Sequence, residues 1–175
     1  MTTPELLDAA LVEEATKKSG LIWVRGGSDP SGPERALWHV WHEGAAHVVG
    51  DGPGEQPLPD LVDGGSATVT VRSKDKGGRL VGWRAKVVEL ASGTQAWEAA
   101  VGDLKGKRLN APDSEAMPER WGRECRVLRL EPDLGAGVVP GSDGALAAPP
   151  LPSPAVTRNA VPAGLPRLLA RRKKG

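Results

Sequence analysis

A run of basic residues at a turn is the most chemically suggestive feature of this sequence. The run reads Arg72-Ser-Lys-Asp-Lys-Gly-Gly-Arg79 and follows a segment in which apolar and polar residues alternate. Guanidinium, ammonium and hydroxyl groups at such short spacing are the donors that bind a phosphate. A hairpin tip is also where lysines are simply solvated. The run therefore leaves two interpretations open, a phosphate site and a hydrated loop.

The tryptophans are the aromatic side chains available for a core or for a planar ligand, because the sequence has six Trp and no Phe or Tyr. Trp41 and Trp83 stand beside histidine or charged residues, which favours stacking on a planar ring. Trp23, Trp38 and Trp97 have apolar neighbours, which is typical of core residues.

Three histidines fall close together and raise the question of a metal or an axial haem ligand. If Glu43 and Gly44 form a two-residue hairpin turn, His42 and His47 share one face and His39 points the other way. No cysteine or carboxylate completes a ligand set at suitable spacing. We therefore predict no metal site and interpret these histidines as ordinary strand residues.

The other candidate residues and motifs do not indicate a catalytic or binding site. Cys125 lies in an alternating strand without a basic or acidic partner pattern, which indicates a small buried hydrophobe rather than a nucleophile. The glycine-rich stretches 26–32 and 50–54 do not open a helix in a Walker or dinucleotide-binding pattern. No Ser/His/Asp arrangement is recognisable from spacing, so the sequence assigns no catalytic residue.

Charge and composition exclude several classes of protein. The 175 residues include 23 basic and 22 acidic side chains, and one cysteine, which cannot form an internal disulfide. No apolar run approaches the roughly 18 residues of a membrane-spanning helix. The first residues lack the basic and apolar regions of a signal peptide. We expect a cytoplasmic protein that does not interact with a membrane.

Proline content divides the chain near residue 131. Eight of the 16 prolines lie in 131–175, where six basic and three acidic residues leave the preceding part with a net charge of −2. Such a composition cannot bury enough apolar surface to order itself. We predict a folded domain over 1–131 and a disordered Pro/Ala/Gly-rich tail with a basic end over 132–175. The negative charge of the folded part argues against nucleic-acid binding, although the tail end offers cations to an acidic surface.

The spacing of apolar residues predicts the secondary structure. Thr2-Thr-Pro-Glu5 is typical of a helix start, and Ser92 with Gln95 indicates a second helix start. The alternating segments predict about six mainly antiparallel strands, which lie at 21–24, 36–42, 45–49, 66–72, 79–90 and 124–130. Antiparallel strands with two or three helices favour a mainly β (α+β) class and a small barrel.

Three stretches resemble a known family, the flavin-binding split barrel of the pyridoxamine 5′-phosphate oxidase type. The first, Ala36-Leu-Trp-His-Val-Trp-His-Glu-Gly-Ala-Ala-His-Val-Val49, is similar to the family's Trp-rich hairpin. The strand pair formed by 68–72 and 82–90 is similar to its central strands. Residues 97–109 and 125–132 are similar to its late helix and closing strand. The resemblance implies a six-stranded antiparallel split barrel with flanking helices.

The resemblance also implies a function. It implies a homodimer that binds FMN between subunits and acts as an oxidoreductase on a small-molecule substrate, the flavin supplying the hydride chemistry. The positions that match the phosphate site are Arg72, Ser73 and Lys74, and Arg79 matches more loosely. A deazaflavin or haem would be an alternative cofactor in this family.

One departure from the family pattern keeps a second function open. The segment after the hairpin, where many relatives carry a basic residue near the phosphate, reads Gly52-Pro-Gly-Glu-Gln-Pro57. A carboxylate at Glu55 would repel a phosphate if it pointed towards it. The alternative is a cofactor-free small-molecule-binding or interaction module on the same fold.

Overall fold

The computed structural model describes residues 2–108 and 110–141. Its elements, in chain order, are α1 (Thr3–Lys18), β1 (Leu21–Gly26), β2 (Arg35–Trp38), β3 (Val40–His42), β4 (Ala45–Gly50), β5 (Ser66–Arg72), β6 (Arg79–Glu89), α2 (Gln95–Lys107), α3 (Met117–Glu124), β7 (Arg126–Pro132), a short 3₁₀ helix (Leu134–Ala136) and β8 (Val138–Pro140).

The strands form one antiparallel sheet in the order β2-β1-β5-β6-β7-β4-β3, and β8 pairs with the remaining part of β6. This arrangement confirms the predicted α+β split barrel. The described part has eight strands where the sequence indicated about six. One reason is that the predicted strand 36–42 is interrupted at His39, so that its first half pairs with β1 and its second half with β4.

Helix α1 begins as its sequence predicts. The Thr2 hydroxyl accepts a hydrogen bond from the backbone N–H of Glu5, and the Glu5 carboxylate accepts one from the backbone N–H of Thr2. These reciprocal bonds satisfy two of the free amides at the helix start. The helix packs on the barrel through Val12 and Thr16, which are fully buried.

The barrel interior is filled by one face of the sheet. Alternate residues of β5 point inward, for example Val69 and Val71, while Thr68 and Thr70 point to the outer face. Trp83 occupies the interior together with Val24 and other aliphatic side chains. Burial of this apolar face is the main stabilising contribution of the sheet.

Helices α2 and α3 cover a second core on the outside of β4 and β7. It contains Trp97, Leu104 and Trp121, which pack on Val49 and Val127. Helix α2 begins differently from the prediction. Its N-cap is Thr94, whose hydroxyl accepts a hydrogen bond from the backbone N–H of Trp97 at 3.3 Å, rather than Ser92.

The fold continues past the predicted boundary at residue 131. Strand β7 ends at Pro132, and β8 then returns along β6 with Val139 opposite Gly82. The long β6 offers a free edge there, so two valines and three backbone pairings hold a segment whose proline and glycine content suggested a tail. The rest of the predicted tail, 142–175, lies outside the described residues.

Within residues 2–108 and 110–141, no helix has the length and apolar character needed to cross a membrane.

Candidate functional site

The basic run forms the tip of the β5–β6 hairpin, as the sequence predicts. The backbone N–H of Ser73 donates to the Gly78 carbonyl at 2.8 Å, and that of Gly77 donates to the Ser73 carbonyl at 3.0 Å. A register shift beside the tip places Arg72 directly opposite Arg79. The hairpin therefore brings the four predicted phosphate ligands, Arg72, Ser73, Lys74 and Arg79, onto one short turn.

Arg72 already has partners in this structure. Its guanidinium donates to the Glu34 carboxylate at 2.8 Å and lies 4.9 Å from the centroid of the Trp23 ring. Glu34 also pairs with Arg25 at 3.1 Å. A phosphate would have to compete with Glu34 for Arg72, so Arg72 is the least available of the four predicted ligands.

Lys74 and Arg79 are exposed, and within the described residues neither forms an ion pair with a carboxylate. A third cation approaches from the C-terminal end of α2. Burial lowers the pKa of Lys107, and the positive charge of Lys74 lowers it further. Lys74 and Lys107 thus lie within electrostatic range of each other, at a place where an anion would relieve their repulsion. The sequence did not indicate Lys107, because 33 residues separate it from Lys74.

The two residues predicted to stack on a ligand ring, Trp41 and Trp83, do not lie at the hairpin tip. Trp83 is only 2% exposed inside the barrel. Trp41 packs edge-on against it with 6.3 Å between ring centroids. The placement of Trp83 leaves it no open face for a ligand. The tryptophans near the hairpin tip are instead Trp23, beneath Arg72, and Trp38, whose ring centroid lies 6.0 Å from the Arg108 guanidinium.

Glu55 faces the helices rather than the hairpin tip. Its side chain is 1% exposed and lies 3.3 Å from Arg108 and 3.2 Å from Arg120. The indole N–H of Trp121 donates to the same carboxylate at 3.1 Å. Arg120 also pairs with Asp113. The carboxylate that would have repelled a phosphate is therefore neutralised in an ion-pair network that attaches the loop to α2 and α3.

The histidines have structural partners. The predicted register is confirmed, with Val40 opposite His47 and His42 opposite Ala45. His39 Nε2 donates to the Thr16 carbonyl at 2.9 Å, and His42 Nδ1 lies 2.7 Å from the Asp103 carboxylate. Burial lowers the pKa of both His39 and His47 to about 4.

The geometry of the described residues favours neither a metal site nor a reactive thiol. No cluster of three His, Cys, Asp or Glu side chains suited to a metal ion occurs in 2–108 or 110–141. Burial, followed by the charge of Glu55, raises the pKa of the Cys125 thiol. The thiol is the unreactive form at neutral pH, which agrees with a packing role for Cys125.

Comparisons with known proteins identify the fold. No family model matches the sequence, and no curated protein does. The heme storage protein HutZ from Vibrio cholerae is a similar solved structure, with a TM-score of 0.53 and 11% identity over 74% of this chain and 92% of HutZ. An FAD-binding protein from Mycobacterium smegmatis has a TM-score of 0.48 and 11% identity over 81% of this chain and 96% of that one. An F420 reductase has a TM-score of 0.46 and 14% identity over 73% and 94%.

Identities this low show the fold alone. The chain has the split-barrel fold of the pyridoxamine 5′-phosphate oxidase-like proteins.

Proposed function

We propose that this protein binds a phosphate-bearing flavin, FMN in the first instance, at the end of the barrel formed by the β5–β6 hairpin and the C-terminal end of α2. The observation that carries the proposal is the hairpin tip, where Lys74 and Arg79 are exposed without a carboxylate partner among the described residues and where Lys74 acts electrostatically on Lys107. Cations without a counter-charge favour a bound oxyanion.

The donor chemistry of the hairpin tip fits a phosphate. Arg79 lies opposite Arg72, and like charges directly opposite each other in a sheet are destabilising unless something neutralises them. Glu34 neutralises Arg72, which leaves Arg79 and Lys74 to bind an anion. The Ser73 hydroxyl, on the same turn, adds a neutral donor.

Two tryptophans lie at this end, and a ring of the cofactor would displace Arg72 from Trp23 or contact the exposed part of Trp38, which also packs on Arg108 and Trp121. Trp23 and Trp38 are partly buried, and the register places Trp38 opposite Leu21, at the end of β1 nearest Arg72. Strands lie about 4.8 Å apart, so the row from β2 to β6 spans roughly 14 Å, enough for a phosphate at one end and a planar ring at the other. When bound, a flavin supplies the hydride chemistry, while this chain supplies charge, hydrogen bonds and orientation.

The same proposal includes an oxidoreductase acting on a small molecule and a homodimer. Support for the dimer comes from Leu21, Leu80 and Val139, large apolar residues that are about half exposed on the outer face of β1, β6 and β8. Light scattering after size exclusion tests it, since a Leu80→Asp variant that remains folded should shift a dimer towards the monomer. An unchanged dimer would exclude this face as the contact.

The experiment for the cofactor is a visible absorption spectrum of the purified protein, before and after addition of FMN and desalting. We expect a retained flavin band, and we expect Lys74→Ala to weaken FMN binding about tenfold, the loss of one charge-assisted contact. Lys18→Ala is the matched control, because Lys18 is an exposed lysine on α1 whose partner is Glu14.

The outcomes separate two functions. Equal FMN affinity in Lys74→Ala and Lys18→Ala would refute the phosphate site. No flavin band under either condition, with no measurable FMN affinity, would refute the cofactor and favour the cofactor-free binding or interaction module.

A further inference from the structure

A cleft lies on the outer face of the sheet, at the end of β5 and β6 opposite the hairpin tip. Its volume is about 470 Å³, within the range of small-molecule sites. Ser66, Arg84 and Lys86 line it from the sheet, the Gly64–Gly65 turn closes one side, and Asp133 and Ala136 close the other. Arg72 lies six positions beyond Ser66 on β5, which is about 20 Å along a strand, so this cleft is distinct from the proposed cofactor site.

Arg84 is held in a defined orientation without a counter-charge. Its guanidinium donates to the Thr68 hydroxyl at 3.3 Å and to the Ser66 hydroxyl at 3.1 Å. Both acceptors are neutral, and no described carboxylate lies within ion-pair distance of Arg84. A guanidinium has five N–H donors, so three remain to bind an oxyanion.

Lys86 adds a second cation on the same face. It lies two residues beyond Arg84 on β6, which places the two side chains on one side of the sheet about 7 Å apart along the strand. Its cross-strand neighbour on β7 is Glu131, which is engaged with Arg129 at 2.8 Å. Lys86 itself has no ion-pair partner among the described residues.

Asp133 is the acid in the lining. Its backbone N–H donates to the Arg84 carbonyl at 2.8 Å, which fixes its backbone beside the two cations. Its carboxylate forms no ion pair with Arg84 or Lys86. The cleft therefore offers two cations for an oxyanion and, separately, one acceptor for a hydroxyl or amino group.

We propose that this cleft binds a small organic acid in which a carboxylate, held by Arg84 and Lys86, is accompanied by a hydroxyl or amino group that donates to Asp133. Glycine and alanine at four of the eight lining positions keep the cleft open, which leaves the polar side chains to select the ligand. The site is independent of the proposed flavin function.

The experiment is a ¹H–¹⁵N correlation titration of the full chain with malate, which has carboxylates and a hydroxyl, and separately with inorganic phosphate. We expect saturable malate-induced shifts at the amides of Ser66, Lys86 and Ala136. Arg84→Gln and Lys86→Gln should each weaken malate binding about tenfold, the effect of one charge-assisted contact. Lys18→Gln is the matched control. Lys86 is exposed, so its replacement tests the proposal even where Arg84→Gln fails to fold.

Asp133→Ala separates this cleft from a general attraction of anions, because malate loses the acceptor for its hydroxyl and should not gain affinity as phosphate does. Loss of its negative charge should strengthen phosphate binding about two- to threefold, because a like charge has been removed. Shifts confined to 72–79, no saturable shift at the cleft, or equal malate affinity in Lys86→Gln and Lys18→Gln would each overturn the proposal.

Discussion

Replacement of Glu55 by alanine should destabilise the fold strongly, although Glu55 lies in a loop. Its carboxylate is 1% exposed and contacts Arg108, Arg120 and the indole N–H of Trp121. Removing one member of a buried ion pair costs about 3–5 kcal/mol, because the partner charge stays buried. Here Arg120 keeps Asp113, and both arginines are partly exposed to water. We therefore expect the lower end, about 3 kcal/mol.

The assay is urea unfolding, with thermal unfolding as a second measurement. For a domain of this size, about 3 kcal/mol corresponds to a decrease in Tm of roughly 6–12 °C. Glu55→Gln keeps an acceptor for Trp121 and should lose less than Glu55→Ala. Glu119→Ala is the control, since Glu119 is 78% exposed and its partner Arg123 is 3.8 Å away, so the change should stay within about 0.5 kcal/mol.

Equal free energies of unfolding in Glu55→Ala and Glu119→Ala would refute the buried network. An increase in FMN affinity in Glu55→Gln without a loss of stability would show that the carboxylate faces the phosphate after all. The second result would restore the repulsion that the sequence suggested.

The remaining predictions concern pH and backbone packing. The pKa values of His39 and His47 are lowered to about 4, so the unfolded chain takes up protons first as the pH falls below about 6.5. The free energy of unfolding should therefore fall between pH 6.5 and 4, by up to about 3 kcal/mol for His39 alone. Urea unfolding at several pH values measures this dependence, and His39→Gln should flatten it. Gly50→Ala should destabilise by about 1–3 kcal/mol, because its Cβ would lie 2.2 Å from the Gln56 carbonyl oxygen. A Cβ added at Gly102, in α2, would meet no atom within 4 Å, so Gly102→Ala should instead stabilise the fold by about 0.5–1 kcal/mol. A lower Tm for Gly102→Ala than for Gly50→Ala would contradict this packing.

Features encoded by neighbouring residues were predictable from the sequence. The Thr2–Glu5 capping box needs residues three apart, and the turn at Glu43 and Gly44 sets the β3–β4 register by itself. The turn chemistry also placed Arg72 and Arg79 on one hairpin. In each case the information lies within a few residues, so no tertiary contact had to be known.

Features that depend on distant contacts were not predictable. The partners of Glu55 lie more than 50 residues further along the chain, so the sequence could not indicate that its carboxylate is neutralised. Alternation indicates that Trp83 and Gly82 point to opposite faces, but not which face is the interior. The charged neighbours of Trp83 suggested that its ring is exposed. In the structure the ring is buried and packs against Trp41.

The distribution of side chains between the two faces of the sheet determines where a ligand can bind. The interior is filled by Trp83 and aliphatic residues, which leaves no space for a planar molecule. The outer face has small residues at its centre, Thr70 opposite Gly82, and cations at both ends. Arg72 stands at one end beside the proposed cofactor site, and Arg84 at the other beside the cleft. Both proposed sites therefore lie on the outer face of the sheet, one at each end, and a replacement at one end should leave binding at the other unchanged.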